Sequence, residues 1–154
     1  MSIVKVREYF KQFGIEDRIL EFDVSSKTVY EASLALNCKE AEIAKSLAFK
    51  LDDKPIMIVT KGDAKIDNQK YKQQFHQKAK MLTYDEVSEM IGHEVGGVCP
   101  FAINDGVVVY LDVSLKQFDK VYPACGSGNS AIGLTIEELM KYSNFTDWVD
   151  VCKD

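Results

Sequence analysis

Two glycine-bearing loops, a lysine opening an apolar run and a cysteine inside the first loop are the residues here whose types and spacing could do chemistry. The first loop reads Val95-Gly96-Gly97-Val98-Cys99-Pro100-Phe101. Glycine permits positive φ and close approach of backbone to a ligand. Pro100 fixes its own φ and keeps Cys99, the residue before it, out of the α region. Such a loop can point successive N–H groups into one concavity and hold a carbonyl oxygen or an oxyanion. It can equally be a tight connection between a helix and a strand. The second loop, Gly126-Ser127-Gly128-Asn129-Ser130, has the composition of ordinary turn chemistry. Lys45 begins Lys45-Ser46-Leu47-Ala48-Phe49, a position where a lone lysine is usually solvated.

Other chemistries find little support. There is no phosphate-binding Walker loop, dinucleotide fingerprint or zinc-protease helix. Gly126-Ser127-Gly128 is too short for a Gly-x-Ser-x-Gly elbow, and no strand–elbow–helix pattern surrounds it. Cys38, Cys99, Cys125 and Cys152 lie far apart, and neither His76 nor His93 stands at zinc-motif spacing from them. Free thiols, no metal and no cofactor are the expectation.

The chain has 154 residues, enough for one domain spanning 1–154 with a substantial core. Its 46% hydrophobic and 28% charged residues suit a folded globular protein. No apolar run approaches a membrane span and the N-terminus lacks the apolar block of a signal peptide, so the expected address is the cytoplasm. A net charge of −5 argues against a broad grip on nucleic acid, which needs many basic contacts. It leaves room for a small basic patch, for which Lys61, Lys65, Lys70, Lys72, Lys78 and Lys80 are the candidates; a solvated face is the alternative.

The elements that would position these residues follow from periodicity. Ile3, Val6, Phe10 and Phe13 predict an amphipathic helix stopped by Gly14, and Arg18–Phe22 a short strand. Thr28 with Glu31, Thr83 with Glu86 and Thr135 with Glu138 are capping-box pairs that start helices; Asn37 with Glu40 predicts another short one, ending near Ala44. The runs Lys45–Leu51 and Ile56–Thr60 around a turn cluster predict a hairpin. Asp67 should cap a helix through Tyr71 and Phe75, and Lys78–Leu82 reads as a strand. Phe101–Ile103 and Val107–Leu111 around Asn104-Asp105-Gly106 predict a second hairpin, its later strand buried on both faces. Ala131–Leu134 should be a strand and Phe145–Val151 an edge strand or tail. Hairpins interleaved with helices indicate a mixed α+β or α/β sheet, not a regular parallel wind.

In this order the segments resemble a family. Lys45-Ser46-Leu47-Ala48-Phe49 is similar to its Lys-x-Leu-x-Phe strand, and Gly96 to Pro100 to its Gly-x-x-x-Pro loop. Val107–Asp112, Ser114-Leu115, Val121–Ser127 and Leu134-Thr135 continue the match. The family is the YbaK/EbsC group of stand-alone aminoacyl-tRNA deacylases, related to the editing domain of bacterial prolyl-tRNA synthetases. The resemblance implies a curved, mostly antiparallel mixed β-sheet with helices packed around it. It implies hydrolysis of an amino acid wrongly esterified to a tRNA, most often the proline tRNA, without a metal or a Ser-His-Asp triad. The loop's N–H groups, at Gly96 or Gly97, would bind the ester carbonyl. Lys45 would hold the 3′-terminal nucleotide, and the substrate's own 2′-hydroxyl would assist. Ser46, Tyr30, Val98, Cys99, Pro100, Gly126, Ser127, Gly128, Asn129 and Ser130 are the accompanying candidates for lining the substrate site. Some relatives carry a selecting histidine where this chain has Asn129 and Ser130. The mischarged acceptor end is the implied partner, with prolyl-tRNA synthetase as a helper for some relatives. Two other readings compete: a non-catalytic module binding a nucleotide or aminoacyl end, and a hydrolase using Cys99, which would need a base or cation beside the thiol.

Overall fold

The computed structural model describes residues 2–153. Its first helix, α1 (Ser2–Lys11), buries Val6 and Phe10, and the chain turns at Gly14 with φ +72°. A 3-10 turn at Glu16–Arg18 precedes β1, which is only Leu20–Glu21 and pairs with Ser130–Ala131. Helix α2 (Val29–Leu36) starts at Thr28, whose side chain accepts from the Glu31 N–H at 3.0 Å. Asn37 does not begin a further helix. With φ +54° it ends α2 in the left-handed conformation, where asparagine is tolerated, and only a 3-10 turn at Glu40–Glu42 follows.

Strand β2 begins at Ile43, two residues before Lys45, and runs to Leu51. It pairs antiparallel with β3 (Lys54–Lys61) across Asp52 and Asp53, both at positive φ as a tight hairpin turn requires. Helix α3 (Asn68–Phe75) is capped by Asp67 and buries Tyr71 and Phe75. Lys78–Leu82 is less than a strand: Met81 forms an isolated bridge with Phe49, the Lys50 N–H donates to the Lys80 carbonyl, and the Leu82 N–H to the Ala48 carbonyl. Thr83 and Glu86 form their capping box at the start of α4 (Tyr84–Glu86), which widens into a π-helical turn over Val87–Ile91 and stops at Gly92 with φ +94°.

The predicted second hairpin does not form. Strand β4 (Val108–Asp112) has β3 on one edge and β8 (Asp147–Val149) on the other, both parallel, so no edge is left for Phe101–Ile103. Those residues instead form a loop that buries Phe101 against Phe10, with ring centroids 4.7 Å apart. The expected double burial of this strand is present: Val109 and Leu111 face one core, Val108 and Tyr110 the other. Strands β5 (Lys120–Pro123), β6 (Ser130–Ala131) and β7 (Leu134–Thr135) follow, with Gly133 dividing the expected Ala131–Leu134 strand in two. Helix α5 (Ile136–Ser143), boxed by Thr135 and Glu138, leads into β8, which does lie at a sheet edge.

The six-stranded sheet has the order β7-β5-β2-β3-β4-β8, and β1-β6 forms a separate ribbon. It is a mixed sheet with helices packed around it, as the fold reading expects. Alternate residues of β3 enter opposite cores: Met57 and Val59 join α1 and α5, whereas Ile56 and Ile58 join α3. On β2, Ala44 and Ala48 take the first face, Leu47 and Phe49 the second. By the same alternation Ser46 stands on the α1 side and Lys45 on the α3 side.

Candidate active site

A cavity of about 390 Å³ opens where β2, the start of α2, the Met81–Val87 segment, the first glycine loop and the β5–β6 region meet. Lys45, Ser46, Gly96, Val98 and Ser130, five of the residues singled out from sequence, line it together. The rest of the wall is largely apolar, with Val29, Ala32, Ile43, Leu82, Val87 and Ala124 among its members. Among the described residues, no Asp, Glu, His or Cys side chain belongs to the lining.

The first loop is built to leave polar groups open. Gly96 has φ +97°, a conformation that a side chain would strain. The Gly97 N–H donates to the Glu94 carbonyl at 3.0 Å and is spent within the turn. Gly96 and Val98 both line the cavity, and their N–H groups have no backbone or side-chain acceptor among the described residues. Gly97 serves a different end. A Cβ there would lie 2.5 Å from the Gly126 carbonyl carbon and the Ser127 nitrogen, so its bareness lets the two loops touch.

The second loop is closed on itself. Ser127 Oγ bonds Ser130 Oγ at 2.6 Å and donates to Asn129 Oδ1 at 2.9 Å. Asn129 Nδ2 donates to the Phe22 carbonyl at 3.0 Å, and the Phe22 N–H returns a bond to the Asn129 carbonyl. Gly126, at φ +91°, packs on Ser2 and Val6 of α1, and Gly128 lies under the Lys27 side chain. Ser130 is the member of this loop that reaches the cavity.

Lys45 sits on the wall with its ammonium donating to the Ala64 carbonyl at 2.6 Å. Burial pushes its pKa below the usual lysine value, opposed by the nearby Cys152 and Asp63. Tyr30 projects from α2 at 62% exposure and is not part of the lining. Pro100 faces a separate recess beside Tyr9 and Asn104.

Cys99 is fully buried, outside the lining. His93 does lie beside it, with Nε2 3.5 Å from Sγ, a proximity that the sequence did not reveal. The pair is not an activated one. Nε2 is 2.7 Å from the Phe101 carbonyl, which can only accept, so that nitrogen carries the proton and cannot take one from the thiol. Burial holds the Cys99 thiol up at about 12 and lowers the His93 pKa. Both groups are neutral there, and the cysteine-hydrolase reading loses its nucleophile.

Sequence reasoning missed the cavity mouth. Lys27 runs across it, its aliphatic carbons against Gly96 and Gly128. Thr28, Met81 and Tyr84, all exposed, also belong to the lining, and Ser26 joins it from a buried position. The one available signal was position: Lys27 immediately precedes the Thr28 cap, where a side chain leaves the helix start pointing outward.

The family model for the aminoacyl-tRNA editing domain matches residues 24–142. The chain is 52% identical over its whole length to the uncharacterized protein YwhH of Bacillus subtilis, covering 99% of that protein. Against the proline–tRNA ligase of Bacillus cereus, 79% of the chain aligns at 25% identity with 22% of that enzyme. A crystal structure described as a candidate trans-editing enzyme for prolyl tRNA synthetase superimposes with a TM-score of 0.88 at 25% identity, covering 99% of this chain and 98% of that one. The hypothetical protein APE2540 superimposes at 0.85 with 29% identity, covering 97% and 99%. The chain belongs to the aminoacyl-tRNA editing domain family.

Proposed function

We propose that the protein is a deacylase that removes a wrongly attached amino acid from a tRNA, most often the proline tRNA, acting as a separate chain in the cytoplasm. The observation that carries this reading is the pairing of two free N–H groups, on Gly96 and Val98, with a cavity wall that has no acid, histidine or thiol among the described residues. An ester already has a fair leaving group, so orientation and oxyanion stabilisation supply most of what its hydrolysis needs. Water adds to the ester carbonyl carbon, and the loop N–H groups hold the oxygen that becomes negative. The bond to the ribose oxygen then breaks, that oxygen takes a proton, and free amino acid and tRNA leave. With no carboxylate, histidine or thiol on the wall among the described residues, the substrate's own 2′-hydroxyl orients the water and relays a proton, accepting one from the attacking water as it passes its own to the departing ribose oxygen. Lys45 contributes positive charge beside the terminal nucleotide, exchanging its contact with the Ala64 carbonyl for the substrate.

The net charge of −5 fits a small footprint on the acceptor end, and prolyl-tRNA synthetase is the proposed partner that supplies the remaining tRNA contacts. The test is single-turnover deacylation of proline tRNA esterified with alanine, cysteine, serine or threonine. Release of at least one of these well above the uncatalysed rate is expected. Tight capture of every ester with no release would instead favour the non-catalytic binding module.

A further inference from the structure

Met81 and Tyr84 give one side of the cavity mouth an exposed apolar rim, at 58% and 72% exposure, beside a wall that is otherwise mostly buried or half-buried. The Tyr84 ring has no ring, cation or hydrogen-bond partner among the described residues. Its backbone, by contrast, is firmly held. Thr83 and Glu86 cap each other at the helix start, Glu86 is paired with Lys50, and Met81 is bridged to Phe49 on β2. A stiff backbone presenting an uncovered aromatic ring is the arrangement that stacks a planar ligand, because little ordering entropy remains to be lost on binding.

We propose that Tyr84, with Met81 beside it, is the platform on which the 3′-terminal nucleobase of the substrate stacks. This rests on the deacylase reading for the identity of the ligand. The base hangs from the same ribose that carries the ester, so an ester in the cavity puts the base at its mouth. Charge around the rim is arranged accordingly. Lys78 and Lys80, both exposed, precede Met81 on the approach, where the flanking phosphates would run. Asp85, also exposed, follows Tyr84 and would repel a phosphate placed over the ring, while a neutral base is unaffected. Tyr84 is therefore a positioning residue, which binds ground state and transition state alike.

The experiment uses an uncharged RNA hairpin ending in CCA and the same hairpin with an abasic terminal nucleotide, each titrated into the millimolar range against the full chain. Wild-type protein should bind the abasic RNA roughly tenfold more weakly, as expected for one stacked base. Tyr84→Ala should bind both RNAs at that weaker level, and Tyr84→Phe should restore the difference. In hydrolysis, Tyr84→Ala should raise KM with kcat unchanged. Tyr84→Ala binding the intact RNA as wild type does, a wild type indifferent to the terminal base, or no binding by wild type at all would each overturn the platform. Base-dependent binding through Tyr84 without any deacylation would keep the platform and remove the deacylase reading. Deacylation with base-indifferent binding would do the reverse.

Discussion

The two glycine loops look alike in sequence and differ in where their polar groups go. In the second loop, Ser127, Asn129 and Ser130 satisfy one another and tie the loop to Phe22. In the first, the Gly97 N–H is spent on Glu94 while those of Gly96 and Val98, two residues that line the cavity, are unspent among the described residues. Buried or half-buried donors are normally paired, so donors left open beside a cavity point to a ligand that completes them. The difference teaches that two loops of like glycine content can part in whether their N–H groups are spent, and in the proposed reaction it is the unspent ones, not the glycines themselves, that would hold the oxyanion. One loop is a buttress, and the other is the surface it supports.

The largest expected effect is on rate. Gly96→Val removes the positive φ and turns the free N–H groups away, so single-turnover hydrolysis should fall about 10²–10³-fold, the usual cost of losing an oxyanion donor. Stability should drop by only about 1–2 kcal/mol, the cost of a side chain in that backbone region. A Gly96→Val protein with normal turnover would erase the contrast between the loops. Gly97→Ala should show the opposite profile. Its methyl group meets the backbone of Gly126 and Ser127, and overpacking of this kind costs about 1–3 kcal/mol in denaturant unfolding. Ser127→Ala should be milder still, near 1 kcal/mol for the lost hydroxyl bonds, with the rate within a few-fold of wild type. A large rate loss in Ser127→Ala with unchanged stability would make the second loop a reacting surface too.

Two smaller effects lie away from the loops. Arg18 holds the Glu138 carboxyl at about 2, below its ordinary 4.5, through bonds of 2.6 and 3.0 Å. A lowered carboxyl pKa gives stability that is fully present above the unfolded value and lost as pH falls toward the folded one. Melting temperature should therefore decline between pH 4.5 and 2, and Arg18→Gln should flatten part of that decline. The Lys50–Glu86 pair acts in the same direction and should leave the rest. Thiol labelling at neutral pH should reach Cys38 alone in the native protein, since Cys99, Cys125 and Cys152 are buried, and all four after unfolding. Rapid native labelling of Cys99 would reopen the cysteine mechanism.

Much of this architecture was readable locally. Thr28, Thr83 and Thr135 each sit three residues before a glutamate and each caps a helix, a contact between near neighbours; Thr83 and Thr135 complete the reciprocal box, whereas Glu31 meets the Thr28 hydroxyl instead of its N–H. The failures came where distant partners decide. Asp105-Gly106 does make a turn, with Gly106 at φ +90°, but β3 and β8 already occupy both edges of β4. Asn37 suits a helix start or a left-handed stop equally well, and packing chose the stop. At the site, Lys45, Ser46, Gly96, Val98 and Ser130 were visible as residue types and converge in space. The destination of the Gly97 N–H, the His93–Cys99 contact and the placing of Lys27 and Tyr84 at the mouth are three-dimensional facts with no periodic trace in the chain.

The central claim is tested most directly by comparing wild type with Lys45→Met, which keeps the bulk of the side chain on β2 and removes its charge. Both would be given mischarged proline tRNA under single-turnover conditions, with far-UV circular dichroism confirming the fold. A wild type that releases the amino acid, and a folded Lys45→Met slowed about tenfold or more, is the predicted result, the loss expected for one charge-assisted contact of about 1.5–3 kcal/mol. Equal release by the two proteins would contradict the claim that this cavity, with Lys45 on its wall, is where the ester is cleaved.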